Sequence, residues 1–200
     1  MGTELEWKLA VPEAGLQDQI LRDPEVCGLA AEPLRCYHMQ SAYYDTPDRR
    51  LSSRRITLRH RMENETSVVC MKAPLPDAPD PHMHGEWELE GEDVIAALPR
   101  LAALGAPADL PEAEELTCVC RADYRRRALL LRFADGSEGE LALDHGLLIG
   151  RTASLPLCEL ELEMKSGDPG AALALLSDLK VRYRLTPQET SKYARASSLP

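Results

Sequence analysis

A period of two runs through most of this chain, and no other feature of the sequence narrows its fold as far. In Glu4-Leu5-Glu6-Trp7-Lys8-Leu9 the charged residues fall on one side of an extended backbone and the apolar residues on the other. Cys158 to Lys165 repeats the pattern, shorter versions lie at 57–61, 68–72, 86–90 and 140–144, and further strand-like runs lie at 37–44 and 124–133. Short connections between such runs give antiparallel pairing. Helical stretches are fewer. They cover 12–22, 92–104 (where Pro99 is expected to kink or split the helix), and an apolar run to Val181 that opens on Asp168-Pro169. Thr186 and Glu189 read as a capping box at the start of a short C-terminal helix. Prolines at 74, 76, 79 and 81 make 73–85 a loop between strands, so the expectation is one mainly β (α+β) domain over residues 1–200.

A half-buried sheet ordinarily turns its charged face to solvent. Here that face is chemically sorted. Glu4, Glu6, Glu86, Glu88, Glu159, Glu161 and Glu163 are carboxylates, while Lys8, Arg59, Arg61, Lys72, Arg125 and Arg127 are cations at the same alternating positions. The Arg125-Arg126-Arg127 triplet leaves its own parity open, with Arg126 as the alternative inward residue. If these faces converge inside a closed barrel, the interior is a polar tunnel and the apolar faces pack under helices. Buried ions are costly unless paired, so such a tunnel calls for a ligand. Guanidinium forks and ammonium groups match phosphate oxygens. Clustered carboxylates match Mg²⁺ or Mn²⁺, hard cations that bridge to phosphate. The combination points to a metal-dependent site for a polyphosphate.

Composition removes other classes. With 33 acidic residues against 23 Lys and Arg, the net charge of −10 disfavours nucleic acid and anionic membranes as partners. No apolar run approaches the roughly 18 residues of a membrane helix. The charged N-terminus does not read as a signal peptide, which gives a cytoplasmic expectation. The six cysteines contain no C-x-x-C pair and are read as reduced, buried thiols; His82 and His84 are read as solvent-exposed. No serine-hydrolase elbow, Walker A loop or dinucleotide fingerprint is present. Trp7 and Trp87 alternate with charged residues and are expected to point away from the tunnel, which leaves few groups to read a base.

The ordered motifs resemble a known family. Glu4-Leu5-Glu6-Trp7-Lys8 is similar to the E-x-E-x-K hallmark of the CYTH, or triphosphate tunnel metalloenzyme, superfamily. Tyr43-Tyr44-Asp45-Thr46-Pro47 with Leu58-Arg59-His60-Arg61, then Asp144-His145-Gly146, then Glu159 to Glu163, and finally Ser191-Lys192-Tyr193-Ala194-Arg195, resemble its later motifs in order. The resemblance implies an eight-stranded antiparallel closed β-barrel with helices outside and a divalent metal, Mg²⁺ or Mn²⁺. Glu4 and Glu6 would hold metal, with Glu161 and either Glu159 or Glu163, and Glu4, Glu6 and Lys8 would be catalytic. Lys8, Arg59, Arg61, Lys72, Arg125, Arg127 and Lys192 would grip phosphates, with Glu86, Glu88 and Asp144 in support. Likeness to short bacterial members implies inorganic triphosphate as substrate; for the oligomeric state the sequence leaves monomer and homodimer both open. An adenylate cyclase, a thiamine-triphosphatase-like enzyme and a non-catalytic polyphosphate-binding module are the alternatives.

Overall fold

The computed structural model describes residues 2–91, 93–107 and 115–200. Nine strands form one antiparallel sheet: β1 (Gly2–Ala10), β2 (Arg35–Asp45), β3 (Thr57–Glu63), β4 (Thr66–Pro74), β5 (Met83–Glu90), β6 (Thr117–Arg132), β7 (Glu138–Ile149), β8 (Ser154–Ser166) and β9 (Thr186–Pro187). The order β5-β4-β3-β2-β6-β7-β8-β1 closes on itself because β1 also pairs with β5, Glu4 lying opposite His84. Eight strands thus make a closed barrel, which leaves no free sheet edge among them. Helices α1 (Ala14–Leu21), α2 (Pro24–Leu29), α3 (Val94–Ala103), α4 (Gly170–Arg182) and α5 (Lys192–Ser197) complete the chain. None is long and apolar enough to cross a membrane.

Period-two strands explain why this barrel is polar inside. Leu141, Leu143, Leu160 and Leu162 face outward and are buried with Ile20, Val26, Leu175 and Leu179 of α1, α2 and α4. On the other side Leu58, Val69, Met71 and Trp87 meet Leu98 and Leu101 of α3. Each such leucine contributes roughly 1.5–3 kcal/mol by burial, so the helices hold the apolar faces and leave the charged faces for the interior. Trp7 and Trp87 both pack outward, as their alternation with charged residues required.

Several local expectations change. Residues 186–187 do not cap a helix. They form β9 on Leu9 and Ala10, where β5 has already ended and β1 would otherwise leave unpaired backbone groups. Helix α5 starts later, with the Ser191 hydroxyl accepting from Ala194 N at 3.1 Å. Pro99 neither kinks nor splits the helix enough to interrupt α3, and it lies on that helix's exposed side; Glu92, the expected first residue, is outside the described residues. All six thiols are free, yet only Cys70 and Cys120 are buried; Cys27, Cys36 and Cys118 are exposed. A bulge between Tyr43 and Tyr44 shifts the register opposite Cys118 and Cys120, which separates the environments of the two thiols.

Asp45 organises the connection from β2 to β3. Its carboxylate accepts from Thr46 N at 2.8 Å, Leu51 N at 2.9 Å and Ser52 N at 3.1 Å, and from the Tyr193 hydroxyl at 3.1 Å. Burial raises its pKa, but these donors outweigh burial and hold it below the usual carboxylate range. Asp45→Ala is therefore expected to cost roughly 2–4 kcal/mol, because buried N–H groups lose their acceptor. Denaturant unfolding at pH 7 checks this, and a cost under about 1 kcal/mol would show that water substitutes for the carboxylate.

Candidate active site

The barrel encloses a cavity of about 1040 Å³. Strand β1 contributes Glu4, Glu6 and Lys8; β3 contributes Arg59 and Arg61; β4 contributes Lys72; β5 contributes His84, Glu86 and Glu88; β8 contributes Glu161 and Glu163. Lys192 enters from α5. The interior groups fall into three regions.

The first is a carboxylate corner. Lys72 Nζ donates to both oxygens of Glu4, at 2.5 and 2.6 Å, and Lys8 Nζ meets Glu6 at 2.6 Å. Glu163 lies directly across from Glu6 in the β1–β8 pairing and is held by Lys165 at 2.7 Å. Burial pushes the Glu4 pKa up to about 7 against the pull of Lys72, with Glu6 and Glu86 adding repulsion. Burial also raises Glu163 despite Lys165. Lys72 serves Glu4, Glu6 and Glu86 at once, so its single charge cannot neutralise them all. For Glu6, burial and Glu161 push upward, but Lys72 and Lys8 outweigh them and its pKa falls. Glu86 drops to about 2 because Lys72 and Arg59 overcome burial.

The second region is an ion network at the α5 end. Asp144, Glu159 and Glu161 bring carboxylate oxygens within 4.8 Å of one another. Lys192 Nζ joins Asp144 at 2.8 Å and Glu161 at 2.7 Å, and also contacts Glu159. Arg126 binds Asp144 through two bonds of 2.8 and 2.7 Å and also meets Glu161, while Arg195 meets Glu159. Asp144 and Glu159 are both fully buried and do not reach the cavity. This trio is a packed ion network among the described residues, with its charges already matched.

The third region is a guanidinium wall. Arg61 meets Glu88 at 3.0 Å and also Glu63, and Arg35 meets Glu140 at 2.8 Å, whereas among the described residues Arg59 has only Glu86, at 3.5 Å. The Nε atoms of Arg35, Arg59 and Arg61 are buried without a partner among the described residues. Unpaired buried donors carry a desolvation cost that an anion in the cavity would relieve.

Two phosphate-gripping assignments are overturned by position. Arg125 is exposed on the outer wall, and Arg127 turns outward to Asp18 of α1 at 2.5 Å. Arg126 is the inward residue. Leu129, Leu131 and Phe133 set this parity: they pack outside, which places residues 127 and 125 on the same outer side. His84 is also corrected. It lies in β5, half-buried and lining the cavity, and its pKa is lowered first by burial. His82 is half-buried, its ring tilted against that of Trp7 with centroids 6.2 Å apart, instead of standing in solvent. Arg35 was not singled out by the sequence, and Arg195 entered only as the last residue of the closing motif, with no role assigned; neither lies in a run of alternating charge.

A closed antiparallel barrel with its charges inside and its helices outside defines a charge-lined tunnel protein. The chain belongs to the CYTH family, whose domain model matches residues 2–197. It is 30% identical over 131 residues to the inorganic triphosphatase of Haemophilus influenzae, a stretch covering 64% of this chain and 36% of that protein. The chain thus spans little more than a third of that relative's length. In structure it resembles a candidate adenylyl cyclase of Hippeastrum described as having a dominant triphosphatase activity, with a TM-score of 0.60 and 18% identity over 98% of this chain and 97% of that one. A candidate adenylate cyclase of Bacillus halodurans gives a TM-score of 0.56 at 15% identity, covering 96% of each chain. At these identities the structural likeness is one of fold.

Proposed function

We propose that this protein is a divalent-metal-dependent triphosphatase, one domain over residues 1–200, that hydrolyses inorganic triphosphate to pyrophosphate and phosphate. The observation that carries the reading is the pairing, inside one cavity, of unpartnered guanidinium Nε donors with a carboxylate corner whose lysines leave it under-neutralised. Nine carboxylates and ten Lys or Arg residues line the cavity. A lining so nearly balanced suits a triphosphate accompanied by cations better than a bare polyanion. Glu4, Glu6 and Glu163 would hold Mg²⁺ or Mn²⁺, since their donors are all hard carboxylate oxygens. When bound, the metal supplies charge neutralisation to phosphate oxygens.

Positioning and electrostatics dominate triphosphate hydrolysis. Water adds to the terminal phosphorus, the bridging P–O bond breaks, and pyrophosphate leaves. Arg59 and Arg61 hold the anionic oxygens, and Lys8 and Lys72 turn from their carboxylates to the chain as it enters. Lys192 and Arg126 fix Glu161 in the cavity wall. The test is kcat/KM for inorganic triphosphate, ATP and thiamine triphosphate under one metal and pH, with cyclic AMP assayed in parallel. At least a tenfold preference for inorganic triphosphate is expected, and ATP preference or cyclic AMP as main product would overturn the reading.

One observation favours an organic triphosphate: Tyr37, Tyr43, Tyr124 and Tyr193 line the cavity. Tyr43 and Tyr124 are each 2% exposed, so they offer little ring face for stacking. The inorganic substrate remains the better fit.

The pH dependence follows from Glu4. Its raised pKa means that the folded, metal-free protein holds this proton up to about pH 7. The stability linked to that proton is present below pH 4.5 and is lost as pH rises through 7. Metal must displace the proton, so affinity for Mg²⁺ or Mn²⁺ is expected to weaken by up to about tenfold per pH unit below 7. Calorimetric titration at pH 6 in buffers of different ionisation enthalpy should detect proton release. Release that is no greater at pH 6 than at pH 8 would remove Glu4 from the metal site.

A further inference from the structure

The loop that Asp45 pins carries two arginines with no structural task. Arg49 and Arg55 both line the cavity where it opens beside α5, and neither side chain has a hydrogen-bond or ion-pair partner among the described residues. Arg50, by contrast, is tied to Glu115 at 2.7 Å. The loop is a fixed platform: Leu51 and Ile56 are buried beneath it, and the Asp45 carboxylate accepts from Leu51 N and Ser52 N. Arg49 and Arg55 have φ of 61° and 58°, the left-handed region in which any Cβ is unfavourable and glycine is free of that cost. Backbone geometry therefore does not call for arginine at either position, and packing does not use the side chains. Beside α5, Ser197 and Ser198 present neutral hydroxyls and Glu189 a single carboxylate, so with two arginines the lip stays net basic on a chain of net charge −10.

We infer that Arg49 and Arg55 form an outer phosphate subsite that extends the tunnel's substrate class to linear polyphosphates longer than three phosphoryl groups. The inference rests on the triphosphatase reading of the inner cavity. Thr57, Arg59 and Arg61 share the inward parity of β3, and Arg55, in the left-handed turn just before that strand, lines the same cavity. A polyphosphate engaged at Arg59 and Arg61 reaches Arg55 by lengthening toward α5. The cavity has room for it, since about 1040 Å³ lies at the upper end of the roughly 300–1,000 Å³ of sites that bury drug-sized ligands. A nucleic acid is a poorer candidate, because the two arginines sit in a cleft and not along a basic outer surface.

The left-handed backbone at both positions provides the test. Arg49→Gly, Arg55→Gly and the double variant remove the guanidinium groups in a conformation glycine prefers, so melting temperature should hold or rise. Arg125→Ala, on the outer wall, is the matched control for lost charge. The measurements are kcat/KM with Mg²⁺ for linear triphosphate and tetraphosphate, and calorimetric affinity of the metal-free protein for both chains. The double variant is expected to lose at least tenfold in efficiency and affinity on tetraphosphate and less than twofold on triphosphate, while Arg125→Ala changes neither by more than twofold. Equal losses on both chains would reduce the lip to electrostatic steering, and no loss on either would leave it without a role; each result overturns the subsite. A wild-type protein that fails to hydrolyse triphosphate would instead refute the inner-site reading, with the affinity comparison still deciding the outer one.

Discussion

Glu6→Gln is expected to lower triphosphate turnover at saturating metal by on the order of 10²–10³-fold or more while the protein stays folded. Glu6 sits opposite Glu163, beside Glu161, and within the reach of both Lys8 and Lys72. The substitution keeps nearly all of the side-chain volume and removes the one charge that both lysines share with the proposed metal. The folded state loses a charge pair but gains relief of Glu4 and Glu163, whose raised pKa values each include repulsion from Glu6. Stability should therefore change little, and Glu4 should ionise at lower pH in the variant. Steady-state rates and a melting curve at one pH separate the two effects. Retention of more than about a tenth of the wild-type rate would take Glu6 out of the metal site.

How much of this was legible in the sequence depended on whether a strand's parity was fixed by its own residues. From Glu4 to Leu9 in β1 and from Cys158 to Lys165 in β8 the inward positions are charged and the outward ones apolar, so Glu4, Glu6, Lys8, Glu161 and Glu163 could be placed without tertiary information. In β6 three consecutive arginines erase that contrast, and parity is set downstream by Leu129 and Leu131 packing beneath the helices. Counting back from those leucines was the available signal for Arg126. His84 had no such signal, because the prolines before it read as loop while β5 begins at Met83. Helix α2 opens on Asp23-Pro24, the same signature as Asp168-Pro169, but six residues are too few for a helical period to show.

Residues that act across the barrel were harder still. Thr186 and Glu189 have capping-box spacing, yet the free stretch of β1 at Leu9 and Ala10 offers backbone partners that outweigh one helix cap. Asp45 belongs to a motif legible in the chain, but its role as acceptor for a loop it precedes appears only once Leu51 and Ser52 fold back on it. Local pattern identified the wall of the tunnel; closure of the sheet determined which charges meet.

Lys192 is where that closure has its greatest energetic consequence. Its ammonium is the contact common to Asp144, Glu159 and Glu161, and it is 7% exposed. Burial alone would push Glu161 up, but Lys192, Arg126 and Lys8 hold it well below the usual range, while Glu159 stays raised because burial and Glu161 exceed its partners. Lys192→Met fills similar space and leaves these carboxylates to Arg126 and Arg195, with Lys8 acting on Glu161, at an expected cost of about 3–5 kcal/mol. For a chain of this size that corresponds to a fall in melting temperature on the order of 10 °C. The sign of the pH effect distinguishes lost charge from lost packing. Without the lysine the folded-state pKa of Glu161 rises; if it passes above 4.5, the associated stability is present below pH 4.5 and is lost as pH increases. The deficit against wild type should then be largest near pH 8 and shrink toward pH 5, and Lys192→Arg should recover part of it by restoring the charge. A deficit independent of pH between 5 and 8, unrelieved by arginine, would mean that α5 is held by the packing of Tyr193 and Ala196 and not by its ion network.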